Sequence, residues 1–241
     1  MQTGIYVGIS AHMALERRMN TLADNIANAT TTGFRATEVK FNQVVADTQT
    51  ADVSFVSQGK EYISTRNGGM KHTGNMLDFA VKGDAWFSIE TPSGQALTRD
   101  GRFTLTEAGD LVTINGYPVL DAGGAPIQLN GAAGAPTASS DGVLYQNGQQ
   151  VGAIGLFEAD MSKGFTRVSN SGVIPALPAQ PVVDRIDAGL VQGYTEESNV
   201  NPIAEMTQLI TVTRAFESMN SLMRDGESSF NEAIKTLGGA K

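Results

Sequence analysis

Apolar side chains along this chain follow two different periods, and the two are segregated. From residue 5 to 28 they recur three and four positions apart. Ile5, Leu15, Met19, Leu22 and Ile26 form one stripe, with Gly8 and His12 on the same line. That spacing predicts an amphipathic α-helix. Thr30-Thr31-Thr32-Gly33 should end it, because β-branched residues disfavour helix and glycine accepts the positive φ of a helix terminus. From 203 to 237 the rhythm returns in Leu209, Val212, Phe216, Met219, Met223, Gly226, Phe230, Ala233 and Leu237. Alternating steps of three and four over four heptads make a coiled-coil-like seam, about 43 Å long at ~1.5 Å per residue. Gly226 on that seam is a weak point or a point of close approach. Asn201 suits the N-cap, Pro202 the first helical position, and Glu205 places negative charge at the positive helix end. Gly238-Gly239 should end this helix.

Between the helical ends the punctuation is that of short strands. Seven of the eight prolines and 19 of the 27 glycines fall in residues 67–190. So do four Asn-Gly pairs, at 67–68, 115–116, 130–131 and 147–148, and Asp100-Gly101 and Asp141-Gly142. Such pairs tolerate the positive φ of tight hairpin turns. Alternation at Phe103/Leu105 and Leu111/Thr113 suggests sheets with one wet face. Residues 121–142 read as loop. Pro175, Pro178 and Pro181 read as a stiff extended connection. Residues 35–66 are polar without a clear period and read as an extended arm with one hairpin.

The expected fold class is therefore α+β. Terminal helices pair as a coiled-coil-like helical domain, with a β-rich middle. The divisions are 1–34 (first helix), 35–70 (connecting arm), 71–190 (β-rich domain) and 191–241 (second helix). Two lone helices have few other walls to pack on, so their stripes imply partners beyond the chain.

Charge and composition narrow the function by exclusion. A formal net charge of −8 argues against nucleic acid and against an anionic membrane surface. The acidity lies mainly in the middle, where residues 67–190 carry seven basic and twelve acidic side chains. There is no cysteine, hence no disulfide or thiolate chemistry. No stretch approaches 18 apolar residues, so the chain should not be membrane-embedded. The first twenty residues do not read as a cleavable signal. Two isolated histidines, His12 on the helical stripe and His72 beside turn residues, give no metal-ligand spacing. No serine elbow, phosphate loop or dinucleotide glycine pattern is present. No catalytic residue, cofactor or metal is expected.

Two blocks carry a specific resemblance. The first is Ala23-Asp24-Asn25-Ile26-Ala27-Asn28-Ala29-Thr30-Thr31-Thr32-Gly33-Phe34. The second is Glu196-Glu197-Ser198-Asn199-Val200-Asn201-Pro202-Ile203-Ala204-Glu205-Met206, followed by Thr213-Arg214-Ala215-Phe216-Glu217. Found at opposite ends and in order, they resemble the paired signatures of the flagellar rod and hook proteins. The middle adds Leu77-Asp78-Phe79-Ala80-Val81-Lys82-Gly83-Asp84-Ala85-Trp86-Phe87, Leu97-Thr98-Arg99-Asp100-Gly101-Arg102-Phe103 and Gly109-Asp110-Leu111-Val112-Thr113. The likeness covers almost the whole chain and is greatest to the proximal-rod branch, with the distal-rod branch next. Asp24 and Thr195 stand where the family commonly has Asn and Leu.

The resemblance implies a non-enzymatic structural subunit of the bacterial flagellar basal body. Such a subunit assembles helically in the rod that crosses the periplasm and transmits torque from motor to hook. Its implied partners are copies of itself, the proximal and distal rod proteins, and the flagellar type III export apparatus. A distal-rod or hook-type axial subunit is the alternative, and an exported cell-wall hydrolase or carbohydrate-binding module a distant one. The seams and the signature blocks together assign Leu15, Met19, Leu22, Asn25, Ile26, Asn28, Gly33, Phe34, Asn199, Val200, Asn201, Ile203, Met206, Leu209, Val212, Phe216, Met219, Met223 and Phe230 to assembly. Within that set Asn25 and Asn28 share a helix face and should satisfy backbone groups at the helix end. Gly33 should take positive φ to turn the chain towards Phe34, an apolar anchor.

Overall fold

Both helices form where the period places them. The computed structural model describes residues 2–46, 53–169, 171–182 and 188–239; the side chains of 2–5, 46, 53 and 230, hence of Ile5 and Phe230, lie outside the described set. Helix α1 spans Gln2–Ala27 and α2 spans Pro202–Gly238. The side chain of Asn201 accepts from the backbone N–H groups of Ile203 and Ala204, at 3.1 and 3.2 Å. Pro202 follows at the first helical position and Glu205 lies in the first turn, so α2 starts on three agreeing local signals.

The chain divides into two compact units. The helical unit comprises Met1–Ile26, Glu38–Glu61 and Asn201–Lys241. Its arm is more ordered than the weak period of residues 35–66 suggests. Strand β1 (Thr37–Lys40) pairs with β4 (Lys60–Ile63) around an inner hairpin of β2 (Gln43–Ala46) and β3 (Val53–Val56). In that hairpin Gln43 lies opposite Val56. The arm is tied to α1 by Arg17, whose Nη2 lies 3.0 Å from Glu61 Oε1. Gln58 O also accepts from Arg17 Nη1.

The β unit comprises Ala27–Thr37 and Tyr62–Val200. Its strands are β5 (Met70–His72), β6 (Phe79–Lys82), β7 (Trp86–Thr91), β8 (Gly94–Thr98), β9 (Phe103–Leu105), β10 (Leu111–Thr113), β11 (Thr137–Ala138) and β12 (Val143–Gln146). There follow β13 (Gln149–Ala153), β14 (Leu156–Glu158), β15 (Phe165–Val168), β16 (Gly172–Pro175), β17 (Gln180–Pro181), β18 (Gly189–Gln192) and β19 (Tyr194–Glu196). The largest sheet has the order β15-β16-β8-β7-β14-β17. A second, β11-β12-β13, carries the tight turn expected from the sequence. Asn147 and Gly148, at φ 51° and 77°, close a two-residue loop between Gln146 and Gln149. Asn130-Gly131 instead opens a short 3-10 turn. The proline-marked segment is only in part the stiff extended connection expected: Pro175 and Pro181 lie in strands of the sheet, and Pro178 lies in the loop between them. Pro175 ends β16, and Pro181 sits opposite Phe157 on the edge strand β17, where a missing N–H costs no inner ladder bond. The core gathers Phe79, Phe87, Phe103, Leu111, Val119 and Leu144, with Phe87 and Phe103 in edge-to-face contact at 5.1 Å.

Two strands belong to the chain's return. β18 pairs with β6 and β19 with β5, both antiparallel. Residues 189–200 therefore complete the β unit before α2 begins.

Candidate assembly surface

Within the helical unit, side chains of α1 and α2 meet in antiparallel order. Asn25 Nδ2 donates to Glu205 Oε2 at 3.2 Å, and Arg18 Nη2 to Gln208 Oε1 at 3.2 Å. Thr213 Oγ1 lies 3.9 Å from Met19 Sδ, and the ring of His12 lies 4.3 Å from that of Phe216. A Cβ at Gly8 would touch Met223 at 3.8 Å. Burial falls off along this line. Leu22, Asn25 and Val212 are buried, while Leu15, Met19, Ile26, Leu209, Phe216, Met219 and Met223 are half-buried. All described side chains from 227 to 239 are exposed, and a Cβ at Gly226 would meet nothing within 4 Å. Gly226 is thus not a close approach within this chain; with no Cβ and no neighbour it weakens the helix locally.

Much apolar surface remains uncovered. Ile203, Met206 and Ile210 form an exposed stripe on α2, with Ile203 at 78 % exposure, and Tyr6, Ile9 and Met13 form another on α1. Towards its end α2 also exposes Ile234 and Leu237. Scattered apolar residues need no explanation, but stripes along helices mark surfaces that bind something.

The remaining signature residues do different work, inside the β unit. Gly33 has φ +69°, and its N–H donates to Glu196 O at 2.7 Å. Phe34, 1 % exposed, packs with Ala36, Val200 and Ala29, and the Arg167 guanidinium lies 4.4 Å from its ring. Asn199 bridges three strands of chain. Its N–H donates to Phe34 O, its Oδ1 accepts from Ala36 N–H, and its Nδ2 donates to Arg66 O. Asn28 accepts from Thr31 through both its backbone and side-chain oxygens. Asn25 and Asn28 therefore have separate roles: one reaches the other helix, the other shapes the turn.

Beneath this crossing lies a group the sequence pattern did not single out. Glu196 is buried between two buried arginines. Its Oε1 lies 2.9 Å from Arg35 Nη2 and its Oε2 3.1 Å from Arg99 Nη1. Gly68 N–H donates to Oε1. The Nη groups of Arg35 also reach Thr65 O, Arg66 O and Asn67 Oδ1, and those of Arg99 reach Val81 O and Gly83 O, while the buried Nε of each arginine has no hydrogen-bond partner among the described residues. Both guanidinium groups lie within 5.8 Å of the Trp86 ring centroid. Burial lowers the pKa of Arg99 to about 10, with Glu196 opposing the fall, so it stays charged at neutral pH. Arg35 is lowered for the same reason. Removing the carboxylate would strand two buried cations, at a cost of about 3–5 kcal/mol. The arginines and the glutamate all stand in or beside the quoted blocks, and that adjacency was the available signal. Charged residues ordinarily read as solvated, so composition pointed the other way.

These three positions come from three separately matched stretches. Residues 5–35 match the family described as "Flagella basal body rod protein", 80–146 "Flagellar hook protein FlgE/F/G D1 domain", and 191–236 "Flagellar basal body rod FlgEFG protein C-terminal". Over the full length of both chains the sequence is 64 % identical to the flagellar basal-body rod protein FlgF of Rhizobium meliloti. It is 57 % identical to FlgF of Mesorhizobium japonicum, covering 99 % of each chain. Identity to the rod protein FlgG of Bacillus subtilis is 29 %, over 97 % of this chain and 98 % of that one. Among the described residues no helix is long and apolar enough to cross a membrane, and no group of three or more acidic, histidine or cysteine side chains could hold a metal ion.

Proposed function

The chain belongs to the FlgF group of the flagellar basal-body rod proteins, a structural subunit of the rod and not an enzyme, and on that premise we propose how it assembles. Helices α1 and α2 pair as an antiparallel coiled-coil-like stem. Of the expected helical segments 1–34 and 191–241, helices α1 and α2 contribute the inner tube of the rod, and 71–190 the outer domain; residues 27–37 and 191–200, and 62–70 of the expected arm 35–70, fold with the β unit and go with that domain. Neighbouring subunits, copies of itself and other proximal and distal rod proteins, cover the stripes Tyr6–Ile9–Met13 and Ile203–Met206–Ile210 and the free end of α2. Two unlike stripes on one chain make a heterologous contact, which extends into an open helical polymer instead of closing. The subunit reaches the periplasm through the flagellar export apparatus.

The observation that carries this reading is the uncovered apolar surface of the helical unit, set beside a β unit whose own core is closed. Leu15, Met19, Leu22, Leu209, Val212, Phe216, Met219 and Met223 form the stem. Ile203 and Met206 face the neighbour. Gly33, Phe34, Asn199 and Val200 fix the crossing of the outgoing and returning chain within the β unit.

Sedimentation of the purified chain, whole and trimmed of about 30 residues at each end, tests the proposal. The whole chain should self-associate with concentration while the trimmed chain stays monomeric. Equal self-association of the two would place the contact in the β unit and overturn the assignment.

A further inference from the structure

The β unit holds two fully buried cations, Arg35 and Arg99, and one fully buried carboxylate, Glu196, bonded to both. Arg35 and Arg99 repel each other. Arg35 enters with residues 27–37, and Arg99 follows β8. Glu196 arrives 97 residues after Arg99, on β19. The same returning segment brings the only strands that pair with β5 and β6 among the described residues. It also brings Asn199, which ties Phe34, Ala36 and Arg66. Until residues 189–200 are present, closing the β unit would bury two like charges with no carboxylate bonded to either; Asp84, the other nearby counter-charge, is exposed and acts on them only through space.

We propose that the Arg35–Glu196–Arg99 triad is an order-of-arrival lock, which holds the β unit open until the returning segment supplies its carboxylate. Every chain is delivered amino end first, so residues 1–188 exist before the lock can engage. A buried ion pair is a poor source of net stability compared with apolar packing, but it is a strong condition on closure. The lock makes folding of the β unit conditional on β19, and therefore on delivery of the chain through residue 196. This inference stands on the β unit alone and is independent of how the helical unit assembles.

The test is refolding of the full chain, followed by fluorescence of Trp86, the chain's single tryptophan, which sits beside both guanidinium groups. If Glu196 must be in place for the barrier to be crossed, Glu196→Gln slows refolding about tenfold or more and changes the unfolding rate less than about twofold. The triple variant Arg35→Met/Arg99→Met/Glu196→Leu removes both charges and carboxylate, and refolds at least as fast as the parent. Parent-like refolding of Glu196→Gln with faster unfolding would mean that the triad forms after the barrier, and would overturn the lock. Should Glu196→Gln not fold at all, adding Arg35→Met removes one of the repelling cations. Recovery of folding then supports the proposal, and continued failure of both this and the triple variant overturns it.

Discussion

Gly33 is the position where one added carbon should do most harm. Its φ of +69° is a conformation that L side chains rarely adopt. A Cβ there would lie 2.2 Å from Asp100 N, 2.4 Å from Arg99 C and 2.7 Å from Asp100 Cα. These are backbone atoms next to the buried Arg99, so they cannot swing aside as a side-chain tip can. Backbone strain costs about 1–3 kcal/mol. Forced displacement in a packed interior adds about 1–3 kcal/mol. Moving the chain away to relieve the collision also loosens the Gly33 N–H bond to Glu196 O. A total near 4 kcal/mol is a large part of the roughly 5–15 kcal/mol that holds a typical domain together. Both Gly33→Ala and Gly33→Val meet the same first-carbon collision. At a urea dependence of about 2 kcal/mol/M, each should lower the midpoint by roughly 2 M, read by Trp86 fluorescence. A Gly33→Ala midpoint within about 0.5 M of the parent would refute both the strain and the collision.

Four further outcomes follow from other parts of the structure. Phe216→Asp places a charge against His12 on the helical line and should leave the β unit folded while abolishing motility; motile cells with normal rods would contradict it. Phe34→Ala empties a site 1 % exposed and should cost about 3–5 kcal/mol of β-unit stability by urea titration. Asn201→Ala removes two capping bonds at the start of α2 and should cost about 1 kcal/mol, seen as lost helical circular dichroism on mild heating. Hydrogen exchange should be fastest at 227–239, where all described side chains are exposed, and slow in β7 and β8, whose ladder lies within the six-stranded sheet.

The helices were legible from sequence because helix signals are local. A three-and-four spacing, an N-cap asparagine, a proline and an acidic first turn all lie within a few residues of what they control, and α2 begins where they agree. The Asn147-Gly148 turn and the positive φ at Gly33 were legible for the same reason. So was the family, because its signature blocks are contiguous. The nested strands at 37–63 were only partly visible, since short polar strands carry little period of their own and pairing with a neighbour decides them. Pro181 read as a linker because nothing local says that an edge strand lies opposite Phe157.

What tertiary structure alone decided is the fate of charge. Arg35, Arg99 and Glu196 have the composition of a wet surface, and although each stands in or beside a signature block, that adjacency does not say that the side chain is buried. Only when the outgoing and returning segments cross beside Trp86 does water leave all three, and each then depends on the others for its counter-charge or hydrogen bonds. Periodicity records which face of an element turns inward. It does not record which distant element will close over that face, because that is settled by the summed burial and hydrogen bonding of the whole unit rather than by any window of the chain.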